Sequence, residues 1–223
     1  MKGKLIVFEG IDSSGKATQQ KLLIESLKAM GFEVEALDFP RYSKFFGSLV
    51  GRYLSGEFGS MEELSEEFCA LLYSLDRYQI KKEIEQKLVQ GKVLVANRYV
   101  FSNIAHQSAK FHNPKEQKKF LRWIECVESR MPKADLVFLL DLPVPLAVSL
   151  MKENDRQKAY RHGKERDIHE NNELYLQRVR ELYLQLAHKN KDWILVNCAS
   201  NSALNPKEEI AKEILEEAKS VLK

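Results

Sequence analysis

The chain has 223 residues, 44% of them hydrophobic and 30% charged, with ten glycines and six prolines. That is enough apolar material for one domain with a sizeable core, and it excludes a disordered tail, a collagen-like fibre and a small disulfide scaffold. Thirty-five basic against 32 acidic residues leave a net charge of +3, too little, if spread evenly, for a nucleic-acid-binding surface.

Residues 4–8 are a short apolar, β-branched run closed by Glu9-Gly10, the pattern of a strand buried on both faces. Between residues 17 and 30, Leu22, Leu23, Leu27 and Met30 recur at helical spacing, and Gly31 offers a left-handed stop. Residues 32–39 read as a second strand ended by Pro40. Ser60 and Glu63 form a capping-box pair that opens a long helix carrying Leu64, Phe68, Leu71, Leu72, Leu75 and Ile84 as far as Gly91. A third strand follows at 92–96, a helix at 114–130, and a fourth strand at 135–141, with Pro143 starting the next helix. A polar, arginine-rich stretch covers 153–167, a helix 170–188 and a fifth strand 193–197. Asn205-Pro206 caps a C-terminal amphipathic helix.

Strands separated by helices of this length make a five-stranded parallel sheet with helices on both faces, a three-layer α/β fold in a single domain over 1–223. Ligands of such sheets bind beyond the carboxyl ends of the strands. No apolar stretch approaches the ~18 residues of a membrane span, and the run Leu5 to Phe8 is too short for a signal peptide. Cys69, Cys126 and Cys198 form no CxxC pair and read as buried, reduced thiols. A cytoplasmic chain with no membrane or nucleic-acid partner is expected.

The sharpest motif is Gly10-Ile11-Asp12-Ser13-Ser14-Gly15-Lys16-Ala17-Thr18, a G-x-x-x-x-G-K skeleton between a predicted strand and a predicted helix. Its glycines let backbone N–H groups turn inward around phosphate oxygens, the helix N-terminus adds positive potential, and Lys16 bridges β- and γ-phosphates. This is a site for a nucleoside triphosphate. The residue after the lysine usually carries a hydroxyl for Mg²⁺. Here it is Ala17, so the metal depends on phosphates, water and carboxylates, with Asp12 a candidate ligand.

The third strand ends in Asn97-Arg98-Tyr99, and an arginine there suits a second phosphate by bidentate hydrogen bonding. Tyr73 and Arg77 lie four residues apart on one helix face, an aromatic plane beside a guanidinium, which fits a pyrimidine with a carbonyl oxygen.

Taken in order, several segments resemble the thymidylate kinase family: Glu9 to Asp12, Phe39-Pro40-Arg41-Tyr42, Leu75-Asp76-Arg77, and Asn97-Arg98-Tyr99 with Ser102-Asn103. Asp167-Ile168-His169-Glu170, ahead of Arg178 and Arg180, completes the set. The resemblance runs from the first strand to the C-terminal helix. It implies a P-loop NTPase fold with a short lid, and transfer of phosphate from ATP to dTMP, giving dTDP, with Mg²⁺. It places Phe39 and Tyr73 on the thymine and Arg77 on its O4. Arg98 is placed on the monophosphate and Asn103 by the base, with Tyr42 and Gln107 in the same substrate set. Asp12 is placed near the sugar and the metal, and Glu170 near Mg²⁺. A homodimer is also implied.

The chain departs from the family at three further points. Asn97 stands where an aspartate is usual, and can accept a hydrogen bond but carries no charge. His106 replaces an aromatic that sits against the deoxyribose. Ser13 and Ser14 leave the loop without the arginine some members carry. Residues 156–166 compensate with five basic and one acidic residue, a local charge of +4, where such kinases place a lid over ATP. Arg156 and Arg161, with Arg166 in reserve, are the expected transition-state donors, alongside Lys16, Asn97 and Arg98. Two alternatives stay open: a kinase for another pyrimidine monophosphate such as dUMP or UMP, and a catalytically weak nucleotide-binding relative resulting from Ala17 and Asn97.

Overall fold

A computed structural model describes residues 2–60, 63–157, 173–201 and 203–222. The first strand, β1 (Lys4–Glu9), leads through a glycine loop into α1 (Lys16–Ala29) and then β2 (Val34–Asp38). Three helices follow, α2 (Phe45–Leu54), α3 (Glu66–Gln79) and α4 (Lys81–Val89), before β3 (Val93–Asn97). Helices α5 (Val100–Ser108) and α6 (Pro114–Glu128) carry the chain to β4 (Leu136–Asp141). Helices α7 (Val144–Gln157) and α8 (Glu173–Lys189) flank the segment that lies outside the described residues, and β5 (Trp193–Asn197) completes the sheet. A two-residue hairpin, β6 (Ala199–Ser200) with β7 (Ala203–Leu204), precedes α9 (Lys207–Val221).

The five strands run in the order β2-β3-β1-β4-β5, every neighbouring pair parallel. The step from β1 to β2 moves one way across the sheet and the later steps move the other way. Right-handed crossovers therefore put α1 on one face and the intervening helices on the opposite face. Helix α9 packs beside α1, while α5 and α7 pack against α8. With both faces covered, β1 is apolar throughout its middle, and Leu5, Ile6, Val7 and Phe8 are fully buried. Each such side chain contributes about 1.5–3 kcal/mol by leaving water. All five carboxyl ends meet along one edge, so Glu9, Asp38, Asn97, Asp141 and Asn197 share it.

Three expectations need correction. The long helix over 60–91 is two helices that meet at Ile80, which ends α3 and starts α4. Separate axes let α3 pack on α2 and α5 while α4 covers β3. Ser65 caps α3 by accepting from the Phe68 N–H; Glu63 does accept from the Ser60 N–H, but residues 63–65 are not helical. Asn205 does not cap α9, because its amide is engaged by the Asn197 carbonyl and the Ser200 hydroxyl. Cys126 is exposed, whereas Cys69 and Cys198 are buried as expected.

Candidate active site

The loop after β1 is shaped by two positive-φ glycines. Gly10 has φ 140°, and a side chain there would come within 2.6 Å of the Leu140 carbonyl oxygen on the adjacent strand. Gly15, at φ 89°, is the residue before α1. No side chain caps α1 and no acidic residue lies in its first turn, so the N–H groups of that turn are directed into the loop. Lys16 folds back across the loop, donating to the Ile11 carbonyl at 2.7 Å and to Ser14 Oγ at 3.4 Å. Burial, reinforced by the nearby Arg98 charge, brings its ammonium down to about 7, against the pull of Asp12 and Glu9. Ala17 and Thr18 face solvent.

Arg98, at the end of β3, sits at φ 65° and aims its guanidinium back over the loop. It pairs with Asp12 and also donates to the Gly10 carbonyl (3.2 Å), Ser102 Oγ (3.1 Å) and His106 Nε2 (3.2 Å). Burial alone would raise the Asp12 carboxyl, but Arg98 and Lys16 together hold it well below the usual carboxylate range. An arginine always donates, so His106 Nε2 accepts and its proton sits on Nδ1, 3.3 Å from the Tyr175 hydroxyl. That hydroxyl donates in turn to the His106 carbonyl at 3.0 Å.

Glu9 is fully buried and fixes how α5 leaves the sheet edge. Its carboxylate accepts from the Tyr99 and Ser102 N–H groups at 2.9 and 3.1 Å, satisfying orphan donors at the start of α5. It also accepts from Ser102 Oγ and from the Tyr183 hydroxyl of α8. Burial and the Glu9 charge raise the Tyr183 phenol well above its usual range, so it remains a neutral donor.

Beside the loop lies an open cavity. Every residue expected to bind the acceptor lines it: Asp12, Phe39, Tyr42, Tyr73, Arg77, Arg98, Asn103, His106 and Gln107. Leu54, Tyr99 and Ser102 line it too. At one end stand Asp12 and Arg98, next to the phosphate loop. Phe39 supplies an aromatic wall braced by Tyr99, ring centroids 5.9 Å apart, and Tyr73 packs edge-on against Tyr53. Arg77 and Asn103 converge on Glu128, the last residue of α6. The amide oxygens of Asn103 and Gln107 are buried without a hydrogen-bond partner among the described residues. Inside a protein such atoms are costly unless a ligand satisfies them.

Around this core the sheet edge is braced by ion pairs. Arg41 donates to the Asp76 carboxylate and main chain, clamping the loop after β2 onto α3. Arg180 holds Asp141 through two bonds of 2.6 and 2.8 Å. Asn97 donates to Asp38 at 3.3 Å, while its own Oδ1 is buried and has no partner among the described residues. Arg178 reaches His112 instead of the cavity. Arg161, Arg166 and Glu170 lie outside the described residues, and of Arg156 only its place in α7 is described.

The sequence reading missed Glu128 and Tyr183. A signal for Glu128 was present: Phe120, Ile124 and Glu128 occupy one stripe of α6, and a carboxylate there replaces an apolar residue. Tyr183 reads as an ordinary aromatic of an amphipathic helix and carries no such signal.

A glycine loop wrapped on a helix N-terminus at the centre of a parallel five-stranded sheet, with an anion-and-ring cavity at the same edge, defines a P-loop kinase of the nucleoside-monophosphate type. Within that class the chain belongs to the thymidylate kinase family, whose model, described as thymidylate kinase, matches residues 8–214. It is 33% identical over 213 residues to a thymidylate kinase of Plasmodium falciparum, covering 96% of this chain and 90% of that one. A probable thymidylate kinase of Pyrococcus horikoshii is 38% identical over 205 residues, covering 90% and 91%. The human thymidylate kinase is 37% identical over 141 residues, 63% of this chain and 62% of that one. Among solved structures, a thymidylate kinase from Candida albicans shares the fold, with a TM-score of 0.76 at 23% identity over 100% of this chain and 94% of that chain. Among the described residues, no helix is long and apolar enough to cross a membrane.

Proposed function

We propose that the chain transfers the γ-phosphoryl group of ATP to dTMP, giving dTDP and ADP. The observation that carries this reading is the single cavity in which a phosphate-binding end and a pyrimidine-binding end stand beside the ATP loop. The loop N–H groups and Lys16 hold the β- and γ-phosphates. Arg98 holds the dTMP phosphate, one oxygen of which forms the new bond to the γ-phosphorus as the bond to ADP breaks. That oxygen is already anionic, so the protein's task is alignment and charge stabilisation. Phe39 and Tyr73 enclose the ring, Arg77 donates to O4, and Asn103 accepts from N3–H. Arg156 and Arg161 from the 153–167 lid are assigned to the transferring group.

Asp12, kept ionised, and the unpartnered Asn97 Oδ1 are hard oxygen donors that suit Mg²⁺, with Glu170 a third from sequence. Among the described residues no three His, Cys, Asp or Glu side chains come together as a metal cage, which leaves further coordination to phosphate oxygens and water. When bound, the ion neutralises charge on the β- and γ-oxygens. The reading includes a single kinase domain over 1–223, a cytoplasmic location and a homodimer. For the dimer, Phe68, Leu71 and Leu75 form an exposed apolar stripe on α3.

An ADP-release assay with ATP and Mg²⁺ across dTMP, dUMP, UMP, CMP and thymidine tests the reading. Turnover should be highest with dTMP. Equal or faster turnover of another pyrimidine substrate reassigns the acceptor, and the absence of turnover with all five assigns the chain to nucleotide binding without catalysis.

A further inference from the structure

Glu128 is in a place that makes little sense for stability alone. Its side chain is 3% exposed, and it ends α6, where the helix dipole disfavours a negative charge. A carboxylate buried at the wrong end of a helix is tolerated only with strong partners. The partners here all belong to, or support, the base-binding end of the cavity.

Arg77 meets Glu128 through Nε at 3.3 Å and through a closer Nη2 contact. Those two bonds fix the plane of the guanidinium. Nη1 has no hydrogen-bond partner among the described residues, and Arg77 lines the cavity. Asn103 Nδ2 donates to Glu128 Oε1 at 2.9 Å and to the Ala70 carbonyl at 3.0 Å. Both partners can only accept, so the amide cannot turn over without placing oxygen against oxygen. Asn103 Oδ1 is thereby left as a buried acceptor with no partner among the described residues. Ser74 donates to the same carboxylate oxygen at 2.8 Å and accepts from Asn103 at 3.2 Å, closing the network.

We infer that Glu128 is a positioning residue for base selection: by holding Arg77 and Asn103 from behind, it fixes a donor and an acceptor in the order that matches thymine and opposes cytosine. Thymine offers a carbonyl O4 and an N3–H; cytosine offers an amino group and a bare N3, the reverse order. A site whose buried polar groups cannot reverse rejects the mismatched ring because those groups are left unpaired. The inference rests on the pyrimidine reading of the cavity and adds the residue that sets its polarity.

The test compares wild type, Glu128→Gln and Glu128→Asp in kcat/KM for dTMP and for dCMP, with ATP saturating. Glutamine is nearly isosteric, but it removes the charge that holds Arg77 and brings an amino group that can face either partner. We expect the dTMP-to-dCMP ratio to fall at least ~10-fold, through a rise in the dTMP KM, with the ATP KM unchanged. Aspartate keeps the charge but draws it back by one methylene, and an intermediate fall is expected. It decides the matter where the glutamine variant does not fold. A uniform loss of kcat for both substrates, with the ratio within twofold of wild type, would mark a merely structural role and overturn the inference. A wild type that does not prefer dTMP to dCMP overturns the base reading itself, so the two failures are distinct.

Discussion

The glycine loop and the cavity beside it share one sheet edge but are built by opposite means. The loop relies on backbone. Its N–H groups come from consecutive residues, its shape from Gly10 and Gly15, and Lys16 is its lone cation. The cavity relies on side chains from six parts of the chain: the ATP loop, the loop after β2, α2, α3, the end of β3 and α5. Each of its two arginines is held by a carboxylate, Arg98 by Asp12 and Arg77 by Glu128. Backbone donors are neutral and need no counterion, so the loop can wait without a compensating acid in its first turn. Buried guanidinium groups need such partners, and those partners then dictate which ligand fits.

Lys16→Ala should break the donor side most severely. Loss of about 10²–10³-fold in kcat is expected, with the dTMP KM nearly unchanged, in steady-state assays varying each substrate. Arg98→Ala should do the reverse, raising the dTMP KM and lowering kcat/KM by about 10²-fold while leaving the ATP KM close to wild type. If both variants raise both KM values alike, the two regions are not separable in the way described.

Glu9→Gln sharpens the comparison at the join between the regions. It turns one acceptor of the α5 N-terminus into a donor facing donors. A loss of about 1–3 kcal/mol in urea unfolding is expected, with a higher dTMP KM because α5 carries Asn103 and His106. The smallest effect concerns protons. The Lys16 ammonium stands at about 7 in the free protein, and bound phosphates favour its charged form. Binding ATP therefore takes up a proton at about pH 8, and affinity weakens as pH rises through that range, by up to tenfold per unit. Calorimetric titration in two buffers of different ionisation enthalpy measures the uptake; none at that pH would show Lys16 already protonated.

Legibility in the sequence follows the same division. The ATP loop was readable because its parts are contiguous and its glycines have no substitute at positive φ. The three inner strands, β3, β1 and β4, were readable because a strand buried on both faces is a continuous apolar run. The edge strands β2 and β5 are only partly buried and were read from shorter apolar segments. Helix α5 went unread: its buried face includes Ser102, Asn103, Gln107 and Ser108, so no apolar stripe announces it. Helix α2 carries Gly47 and Gly51 and lacks a side-chain cap, which hides its start and its propensity. The Ser60–Glu63 pair has the bond of a capping box without the helix, because local capping chemistry does not require a helix to follow.

By itself, then, the sequence determined the order of the five sheet strands and of most of the helices between them, the glycine loop after β1 and, through ordered motifs, the identity of the residues lining the cavity. Those are local patterns: apolar period, glycine spacing and short motifs survive without knowledge of contacts. Only the tertiary structure decided what stands behind those residues. Glu9 lies 93 residues from Ser102, Asp12 lies 86 from Arg98, and Glu128 lies 51 from Arg77. Such pairings are set by how the crossovers bring strand ends and helix faces together, and by the need of each buried charge to find a partner. The net charge of +3 conveys none of this. It counts charges, whereas the sheet edge depends on which of them are buried face to face.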